Sequence, residues 1–549
     1  MTFTPAAVPV VPVLVATDAP TPWNEPVLLW HGVSPVQRAN ANTLADLLAE
    51  LAEVIRPPAT PLDPLAWEAA PYRPVPNIVE AATLLYARHG VAEIAAARAD
   101  ATNLTRTTAA IRAVVEEARQ LGQHRVVFVT GIPGAGKTLC GLDTVFGASR
   151  DLGAAFLTGN APLVAVLREA LALDASRGGA PIREARRRTV AALQNVHRFL
   201  EHHVLSPAEI PDVRVVVFDE AQRAWDAAKA TQDTQNRRSR LTDSEPAHML
   251  EIMGRHPDWA VVVALVGSGQ EINTGEAGLT EWGRVIAGSQ GRWRASVAPA
   301  AVGEGPVAQR LAPVLAPWLA LDPALHLDVP IRSVRSNLMA PWVDAVLSGD
   351  AAAARNLTAS GEVPVYLTRD LSALRTALRH LARGERRAGL VASSGNRRLR
   401  AEGLGGELRG DAEVVSWFLR RWPDIRASEA LEVPATEYSC QGLELDLVGL
   451  AWGGDFLRIH GRWQVRSLSG SRWNTVTRAA EVEFTRNTYR VLLTRARYET
   501  VIWVPPGSDE DATRSRAEMD AVAAFLEDCG ARALPLPSRA TPALLPALL

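Results

Sequence analysis

The sequence predicts an α/β protein with two parallel-sheet domains, and three observations support this fold class. Short, Val-rich hydrophobic runs alternate with amphipathic, helix-like stretches, which is typical of strands buried on both faces and joined by helices. The first of these runs leads directly into a glycine-rich turn, and the same alternation appears again in the last part of the chain. We expect strands at 125–130, 154–159, 214–219 and 260–267 in the first domain, and at 363–368, 388–393, 445–452 and 501–505 in the second.

Composition indicates a globular protein without a strong overall charge. The chain has 549 residues, 47% of them hydrophobic and 21% charged, with a formal net charge of −2. This length exceeds one ordinary core, since domains average roughly 150 residues. The net charge provides no overall attraction to nucleic acid or to an anionic membrane, although a local basic groove is compatible with it.

The cysteines and the hydrophobic runs indicate a cytoplasmic protein that does not enter a membrane. Cys140, Cys440 and Cys529 are far apart and form no CxxC pair, which disfavours a disulfide framework or a zinc site. No run reaches the roughly 18 uncharged apolar residues of a membrane helix.

Five segments follow from the patterns along the chain. Residues 1–105 mix Pro-rich stretches with helical periodicity and predict a mostly helical N-terminal region. The first α/β domain is expected at 106–300, and an Ala-, Pro- and Gly-rich linker at 301–324. The second α/β domain is expected at 325–510, and a C-terminal helix with a tail at 511–549.

The turn after the first strand has the spacing of a phosphate-binding loop. In GIPGAGKT, Gly131, Gly134 and Gly136 let the backbone N–H groups point inward around phosphate oxygens, and a helix can follow. Lys137 supplies a compact charge to the β- and γ-phosphates, and the Thr138 hydroxyl is placed to bind Mg²⁺. Lys137 is one of only two lysines in the chain. An ordinary glycine-rich turn would not require this combination, so the sequence predicts binding of a nucleoside triphosphate with Mg²⁺.

An acidic pair follows the third expected strand, in RVVVFDEAQ. Asp219 ends the strand, where a carboxylate can hold Mg²⁺, and Glu220 is placed to orient and deprotonate a water molecule. Two acids at a strand end are also compatible with a solvated turn, but the phosphate loop favours the catalytic interpretation. We therefore expect hydrolysis of ATP rather than phosphoryl transfer to another acceptor.

The order of the motifs resembles the two-RecA-domain core of superfamily 1 helicases, and it is most similar to the Schlafen-group-3-like DNA/RNA helicase family. The resemblance covers about residues 75–510. It is carried by FVTGIPGAGKT, VVVFDEAQRAWD, LVGSGQEINTGEAGL, YSCQGLELDLVGLAWG and NTYRVLLTRARYETVIWVP. It implies two RecA-like P-loop domains after the N-terminal region, and it implies adenine specificity.

The resemblance also implies roles for residues that neither spacing nor composition would identify. Gln270 is implied as the γ-phosphate sensor, and Gln222 as a link between hydrolysis and the opposite domain. Arg332 is implied as the arginine of the fourth motif, with Arg335 as a close alternative.

In the fifth and sixth motifs, the resemblance implies three further residues. Gly442 would approach the nucleotide, and Glu444 would approach the ribose. Arg495 would be the arginine finger, with Arg497 as the alternative.

Nucleic-acid contacts are expected at a loop and at a basic run. The resemblance implies that Thr158, Gly159 and Asn160 bind phosphate oxygens of the strand. The arginines between 177 and 188 could line a backbone groove or form a solvated helix face, and the sequence does not decide between these two interpretations.

These observations predict an ATPase that acts as a helicase or translocase on single-stranded DNA or RNA. The alternative is a nucleotide-gated, nucleic-acid-binding sensor or signalling ATPase without unwinding activity. A P-loop kinase would not need the LTRAR motif.

Overall fold

Two parallel sheets form the framework of the protein in this computed structural model. The structure describes residues 9–22, 24, 34–55, 63, 77–87, 101–132, 135–147, 152–231, 240–267, 278–303, 310–328, 338–359, 363–382 and 384–534.

The described part of the N-terminal region contains strands as well as helices. Strands β1 (Val13–Val15) and β2 (Gln37–Ala39) pair in parallel, and helix α1 (Leu44–Val54) buries Leu47 and Leu51 beside them in a small separate cluster. Helix α2 (Ile78–Tyr86) begins with a capping box at Asn77 and packs on helices of the first sheet.

The first sheet has the strand order β5-β4-β6-β7-β3-β8-β9, with β10 also beside β3, and all of these pairs are parallel. The four expected strands of the first domain are present here as β3, β4, β6 and β7. The strands of this sheet are β3 (His124–Gly131), β4 (Ala154–Thr158), β5 (Leu193–Asn195), β6 (Val215–Asp219), β7 (Ala260–Gly267), β8 (Trp293–Val297), β9 (Leu319–Leu321) and β10 (His326–Leu327).

Helices cover both faces of the first sheet, because successive strand residues point to opposite sides. Val127 and Val263 belong to the apolar cluster on the side of α3, α4 and α5, whereas Val126 and Val262 belong to the cluster on the side of α7, α9 and α10. The helices are α3 (Ala101–Leu121), α4 (Lys137–Phe146), α5 (Ala161–Arg177), α6 (Ile182–Ala192), α7 (Val196–Leu205), α8 (Ala227–Ala230), α9 (Glu245–Met253) and α10 (Gly278–Gly288).

The second sheet has the order β12-β13-β17-β11-β18, and its pairs are also parallel. It contains all four strands expected for the second domain. Its strands are β11 (Val365–Thr368), β12 (Ala388–Ala392), β13 (Leu445–Ala451), β17 (Ala496–Trp503) and β18 (Arg532–Ala533).

Seven helices accompany the second sheet in the described part of the chain. They are α11 (Met339–Ser348), α12 (Ala351–Thr358), α13 (Leu371–Leu381), α14 (Asp411–Leu419), α15 (Glu437–Cys440), α16 (Ala479–Leu493) and α17 (Arg516–Asp528).

A small antiparallel sheet, which the sequence analysis did not anticipate, is inserted between β13 and α16. It consists of β14 (Phe456–Ile459), β15 (Arg462–Ser469) and β16 (Arg472–Thr475).

The two lobes, defined by the two large sheets, meet along helix α5. This helix packs against α14 and α15 of the second lobe, and one continuous apolar cluster contains residues of both sheets. Residues such as Leu163, Val166 and Leu171 are buried on more than one side of α5. A helix that is apolar over most of its circumference is stable only where it is enclosed.

The observed elements differ from the expected segment boundaries at three places. The boundary between 105 and 106 falls inside α3, which packs on β3 and β7 because its apolar positions form one stripe. The expected linker at 301–324 contributes β9 to the first sheet, and this sheet continues to Leu327, beyond the expected start of the second domain. The C-terminal helix and β18 extend the second lobe past residue 510, since β18 pairs with β11.

Candidate active site

The carboxyl ends of four parallel strands meet at one edge of the first sheet. Gly131 at the end of β3 lies beside Gly267 at the end of β7, and Asp219 at the end of β6 lies beside Thr158 of β4. Strand β7 separates β3 from β6, so the phosphate loop and the acidic pair lie about 10 Å apart at two strand spacings. This separation leaves room for a triphosphate and a water molecule between them.

Two glycines of the loop occupy positions that a side chain would disturb. A Cβ on Gly131 would lie 2.6 Å from the carbonyl oxygen of Leu327 in β10. Gly136 has a φ of 89° and forms the N-cap of α4, a conformation that side chains other than glycine rarely adopt. Gly134 lies outside the described residues.

The Lys137 ammonium is held at the loop by the loop's own backbone. Its Nζ donates hydrogen bonds to the carbonyl oxygens of Gly131 at 2.7 Å and Ile132 at 2.9 Å. Thr138 is the next residue, in the first turn of α4. The lysine charge, the hydroxyl and the positive end of the helix therefore lie together, as a phosphate site requires.

The acidic pair is positioned by an unusual backbone conformation. Asp219 is only 6% exposed, and Glu220 follows with a φ of 55°, which is uncommon for a residue other than glycine. The Gln222 amide donates to Glu220 Oε2 at 2.5 Å and accepts from the Gly267 N–H at 2.8 Å. Gln222 thus ties the carboxylate to the end of β7. A strained residue fixed in this way is typical of functional sites.

A buried tryptophan stabilises the segment that follows the acidic pair. Trp282 of α10 donates its indole N–H to the Ala221 carbonyl at 3.0 Å, and its ring contacts Phe128 and Phe218 edge-on. This contact could not be predicted from the sequence, because a separation of 61 residues along the chain gives no local signal.

The predicted sensor Gln270 and the arginines Arg332 and Arg335 lie outside the described residues.

In the second lobe, the two candidate arginines have different surroundings. Arg495 is 2% exposed and lies between α16 and β17, where its Nε donates to the Val491 carbonyl at 2.9 Å. Arg497 is paired with carboxylates of its own lobe, Asp446 Oδ1 at 2.9 Å and Glu444 Oε2 at 3.8 Å. Both arginines are buried, and a role on the nucleotide stays a prediction for each. The Glu444 carboxylate, expected near a ribose, lies beside Arg497.

A direct hydrogen bond joins the two lobes at the QGLE segment. The Asn160 amide donates to the Gln441 carbonyl oxygen at 2.5 Å. Gly442 has a φ of 71°, and a Cβ there would lie 2.9 Å from Asn160 Nδ2 and 3.2 Å from Leu163 Cδ2. Gly442 is therefore a point of close approach between the lobes.

The loop expected to bind nucleic acid is occupied by internal hydrogen bonds. Thr158 is 1% exposed, and its hydroxyl accepts from the Asn160 N–H at 3.2 Å. The Asn160 side-chain oxygen Oδ1 caps α5 by accepting from the Leu163 N–H at 3.1 Å. Both side chains thus fix the loop, and their contact with phosphate stays a prediction.

The basic run at 177–188 is partly neutralised by acids of the same lobe. Arg186 forms a two-pronged pair with Glu169, and Arg188 pairs with Glu184. These pairs offset two of the five arginine charges, so both the solvated helix face and the backbone groove stay open as interpretations of this run.

The burial of polar groups near the QGLE segment perturbs their acidity. Burial raises the pKa of the Glu437 carboxyl, which accepts from Ser394 through its N–H at 3.0 Å and its hydroxyl at 2.6 Å. Burial likewise raises the pKa of Cys440 to about 12. This thiol is therefore protonated at neutral pH and is not a candidate nucleophile.

No helix in the described part of the chain is both long and apolar enough to cross a membrane.

Comparison with known proteins adds a family match. The model of the family described as Schlafen group 3, DNA/RNA helicase domain, matches residues 124–506. No curated protein matches the chain.

Two solved structures share limited similarity with the chain. One is described as the crystal structure of DUF1998 helicase MrfA bound to DNA, with 12% identity and a TM-score of 0.28 over 74% of this chain and 49% of that one. The other is described as the same helicase bound to DNA and AMPPNP, with 12% identity and a TM-score of 0.26 over 75% of this chain and 50% of that one. The chain spans about half the length of these two structures.

Proposed function

Because the chain belongs to the Schlafen group 3 DNA/RNA helicase domain family, we propose that it is an ATP-dependent helicase or translocase of the superfamily 1 type. It couples ATP hydrolysis to movement on single-stranded DNA or RNA. The observation that carries the proposal is the meeting of the Lys137 loop, Asp219 and the fixed carboxylate of Glu220 at one sheet edge, beside a second parallel-sheet lobe.

The residues of the first lobe divide the hydrolytic chemistry among them. Lys137 and the loop N–H groups bind the β- and γ-phosphates, and Glu220, oriented by Gln222, accepts the proton of the attacking water. Thr138 and Asp219 offer the hard oxygen ligands that Mg²⁺ prefers, at the end of a strand and the start of a helix. Bound Mg²⁺ neutralises negative charge on the phosphates.

The second lobe contributes the charge that makes hydrolysis depend on domain closure. Arg495 stabilises the transition state when the lobes close on ATP, an effect worth roughly 10³–10⁵ in rate. Gln270 senses the γ-phosphate, and Arg332 adds a second positive charge. In this proposal the two lobes are RecA-like domains, the first built on the sheet of β3 to β10 and the second on the sheet of β11, β12, β13, β17 and β18.

The test is ATPase activity of the full chain with and without single-stranded DNA and RNA of the same length. We expect at least one polymer to increase kcat several-fold, and Glu220→Gln to bind ATP without hydrolysing it. If neither polymer changes kcat or the Michaelis constant for ATP, the motor function is refuted. If Glu220→Gln turns over normally, its role as the base is refuted.

The second candidate is a nucleic-acid-binding sensor or signalling ATPase without unwinding activity. Helix α2 favours it, because this helix of the N-terminal region packs on α4 and α5 of the first lobe, and α5 packs in turn against the second lobe. Helix α2 would then hold the lobes together and restrict their repeated opening. A strand-displacement assay with ATP separates the candidates, since the sensor would hydrolyse ATP on binding nucleic acid and displace no strand.

A further inference from the structure

The antiparallel insertion between β13 and α16 presents a hairpin on the surface of the second lobe. Strands β15 and β16, which we call the ribbon (462–475), turn at Gly470, where φ is 60°. The base of the ribbon is rigid. The Trp463 ring stacks on the Phe456 ring with 4.4 Å between the ring centroids, and its indole N–H donates to the Val346 carbonyl at 2.8 Å.

The insertion and its flanks are strongly basic, although the whole chain has a formal net charge of only −2. Residues 456–480 contain no aspartate or glutamate, whereas the whole chain has 60 acidic residues and 58 lysines and arginines. The same 25 residues contain one histidine, His460, and five arginines, Arg458, Arg462, Arg466, Arg472 and Arg478.

Strand register assigns the side chains of the ribbon to two faces. Leu468 is opposite Trp473 on the inner face, where the Trp473 N–H donates to the Thr513 carbonyl at 2.8 Å. Arg466 lies on the same face and pairs with Glu518 at 2.9 Å. These contacts fix the end of the ribbon against the lobe, so that the opposite face is exposed at residues 467, 469, 472 and 474. Nearer the base, Trp463 and Val465 of that face pack into the lobe.

The outer face combines one cation with short hydrogen-bonding side chains. Ser469 is opposite Arg472, Ser467 is opposite Asn474, and all four are exposed. No carboxylate among the described residues pairs with Arg472. Arginine, serine and asparagine are side chains that bind phosphate oxygens in nucleic-acid complexes. A protein interface, in contrast, has an apolar or aromatic centre, which this face lacks.

We propose that the outer face of the ribbon binds the sugar-phosphate backbone of the nucleic acid on which the two lobes act. It is a second contact, separate from the loop at Thr158 and Asn160 and from the ATP site. The proposal rests on the proposed function, since it assigns part of the same substrate to a new surface. Recognition is through phosphate charge, so it does not depend on base sequence.

The experiment measures binding of a fluorescent single-stranded DNA and an RNA of equal length to the full chain at several salt concentrations. We expect Arg472→Gln to weaken binding about threefold to tenfold and to reduce the slope of log K against log salt by about one. Arg472→Lys should retain the salt slope because it retains the charge. Ser469→Asp should weaken binding further by repulsion of phosphate.

The matched control is Arg379→Gln, which removes an exposed arginine from α13 of the same lobe. It should bind as the wild type does, and every variant should keep the wild-type ATPase rate without nucleic acid. If Arg472→Gln and Arg379→Gln bind equally while the wild type binds and is stimulated, the ribbon proposal is overturned and the proposed function stands. Loss of stimulation in the wild type itself would overturn the proposed function instead.

A competition experiment tests whether the ribbon distinguishes nucleic acid from an acidic protein. Poly-glutamate of matched charge should compete poorly with the labelled strand. Equal competition would mean that the ribbon recognises negative charge of either kind, and this would overturn its assignment to the phosphate backbone.

Discussion

Lys137 and Lys229 are the only lysines of the chain, and their surroundings differ. The Lys137 ammonium lies within the phosphate loop, whereas Lys229 belongs to a short helix and lies 5.8 Å from the Trp225 ring. We expect Lys137→Ala to reduce kcat for ATP about 10²-fold or more, because a positioned charge on the phosphates is lost. Lys229→Ala should leave kcat unchanged. Steady-state ATPase rates test this, and equal loss in both variants would contradict the assignment.

Arg495 and Arg497 should separate into a catalytic and a structural residue. Arg495→Ala should lower kcat about 10³-fold, because its charge acts on the transition state. Arg497→Ala would leave the buried Asp446 without its ion pair, which we expect to cost about 3 kcal/mol or more in the free energy of unfolding. Urea unfolding and ATPase assays on both variants give the comparison. The reverse pattern would make Arg497 the finger.

Asn160 illustrates what the sequence could not predict at the scale of residues. The resemblance indicated that this loop is functional, but the partner of its amide is 281 residues away, in the second lobe. Likewise, Gln222 was recognised beside the acidic pair, whereas its bond to Gly267 depends on the order of strands in the sheet. Local motifs identify the type of chemistry, and the fold decides which groups meet.

At the scale of elements, the link between the ribbon base and α16 should be sensitive to pH. Asp455, 2% exposed before β14, accepts from the Tyr489 hydroxyl of α16 at 2.7 Å and from the Ser393 hydroxyl at 2.5 Å. Burial raises the pKa of the Asp455 carboxyl. Its contribution to stability is therefore full below the ordinary pKa of aspartate and is lost as pH rises through the raised value.

Asp455→Asn removes this titration. We expect the stability of the variant, relative to the wild type, to improve as pH rises from about 4 to about 8. Urea unfolding across this range measures the difference. Glu437→Gln should change in the same direction, because burial also raises the pKa of Glu437. A difference that does not vary with pH would show that the pKa of Asp455 is not raised in the folded state.

The eight strands expected from the sequence are all present, because Val-rich runs of this length have few alternatives to a buried parallel strand. The elements that were missed are short or amphipathic. Strands β9 and β10 have only three and two residues. Strand β9 pairs with the edge of β8, and β10 pairs with the last two residues of β3, beyond those that pair with β8. The ribbon alternates arginine with tryptophan and serine, a pattern that a loop also allows.

At the scale of the whole molecule, the contact at Gly442 controls how closely the lobes approach. Gly442→Ala would place a methyl group against Asn160 at a φ of 71°, with a backbone strain of about 1–3 kcal/mol. We expect kcat to fall about tenfold or more, since small misplacements across an active site have effects of this size. Asn160→Ser in the same chain removes the colliding amide and should restore part of the activity. No recovery in the double variant would mean that the strain alone is responsible.

Strand β10 gives the phosphate loop a neighbour whose place along the chain matters. Leu327 lies against Gly131, and its carbonyl accepts from the Ile132 N–H at 3.1 Å. The carbonyls of Gly131 and Ile132 are the groups that hold the Lys137 ammonium. When a triphosphate competes for that ammonium, the two carbonyls beside β10 lose their partner. Strand β10 is therefore among the first elements to experience nucleotide binding, through the main chain of the loop.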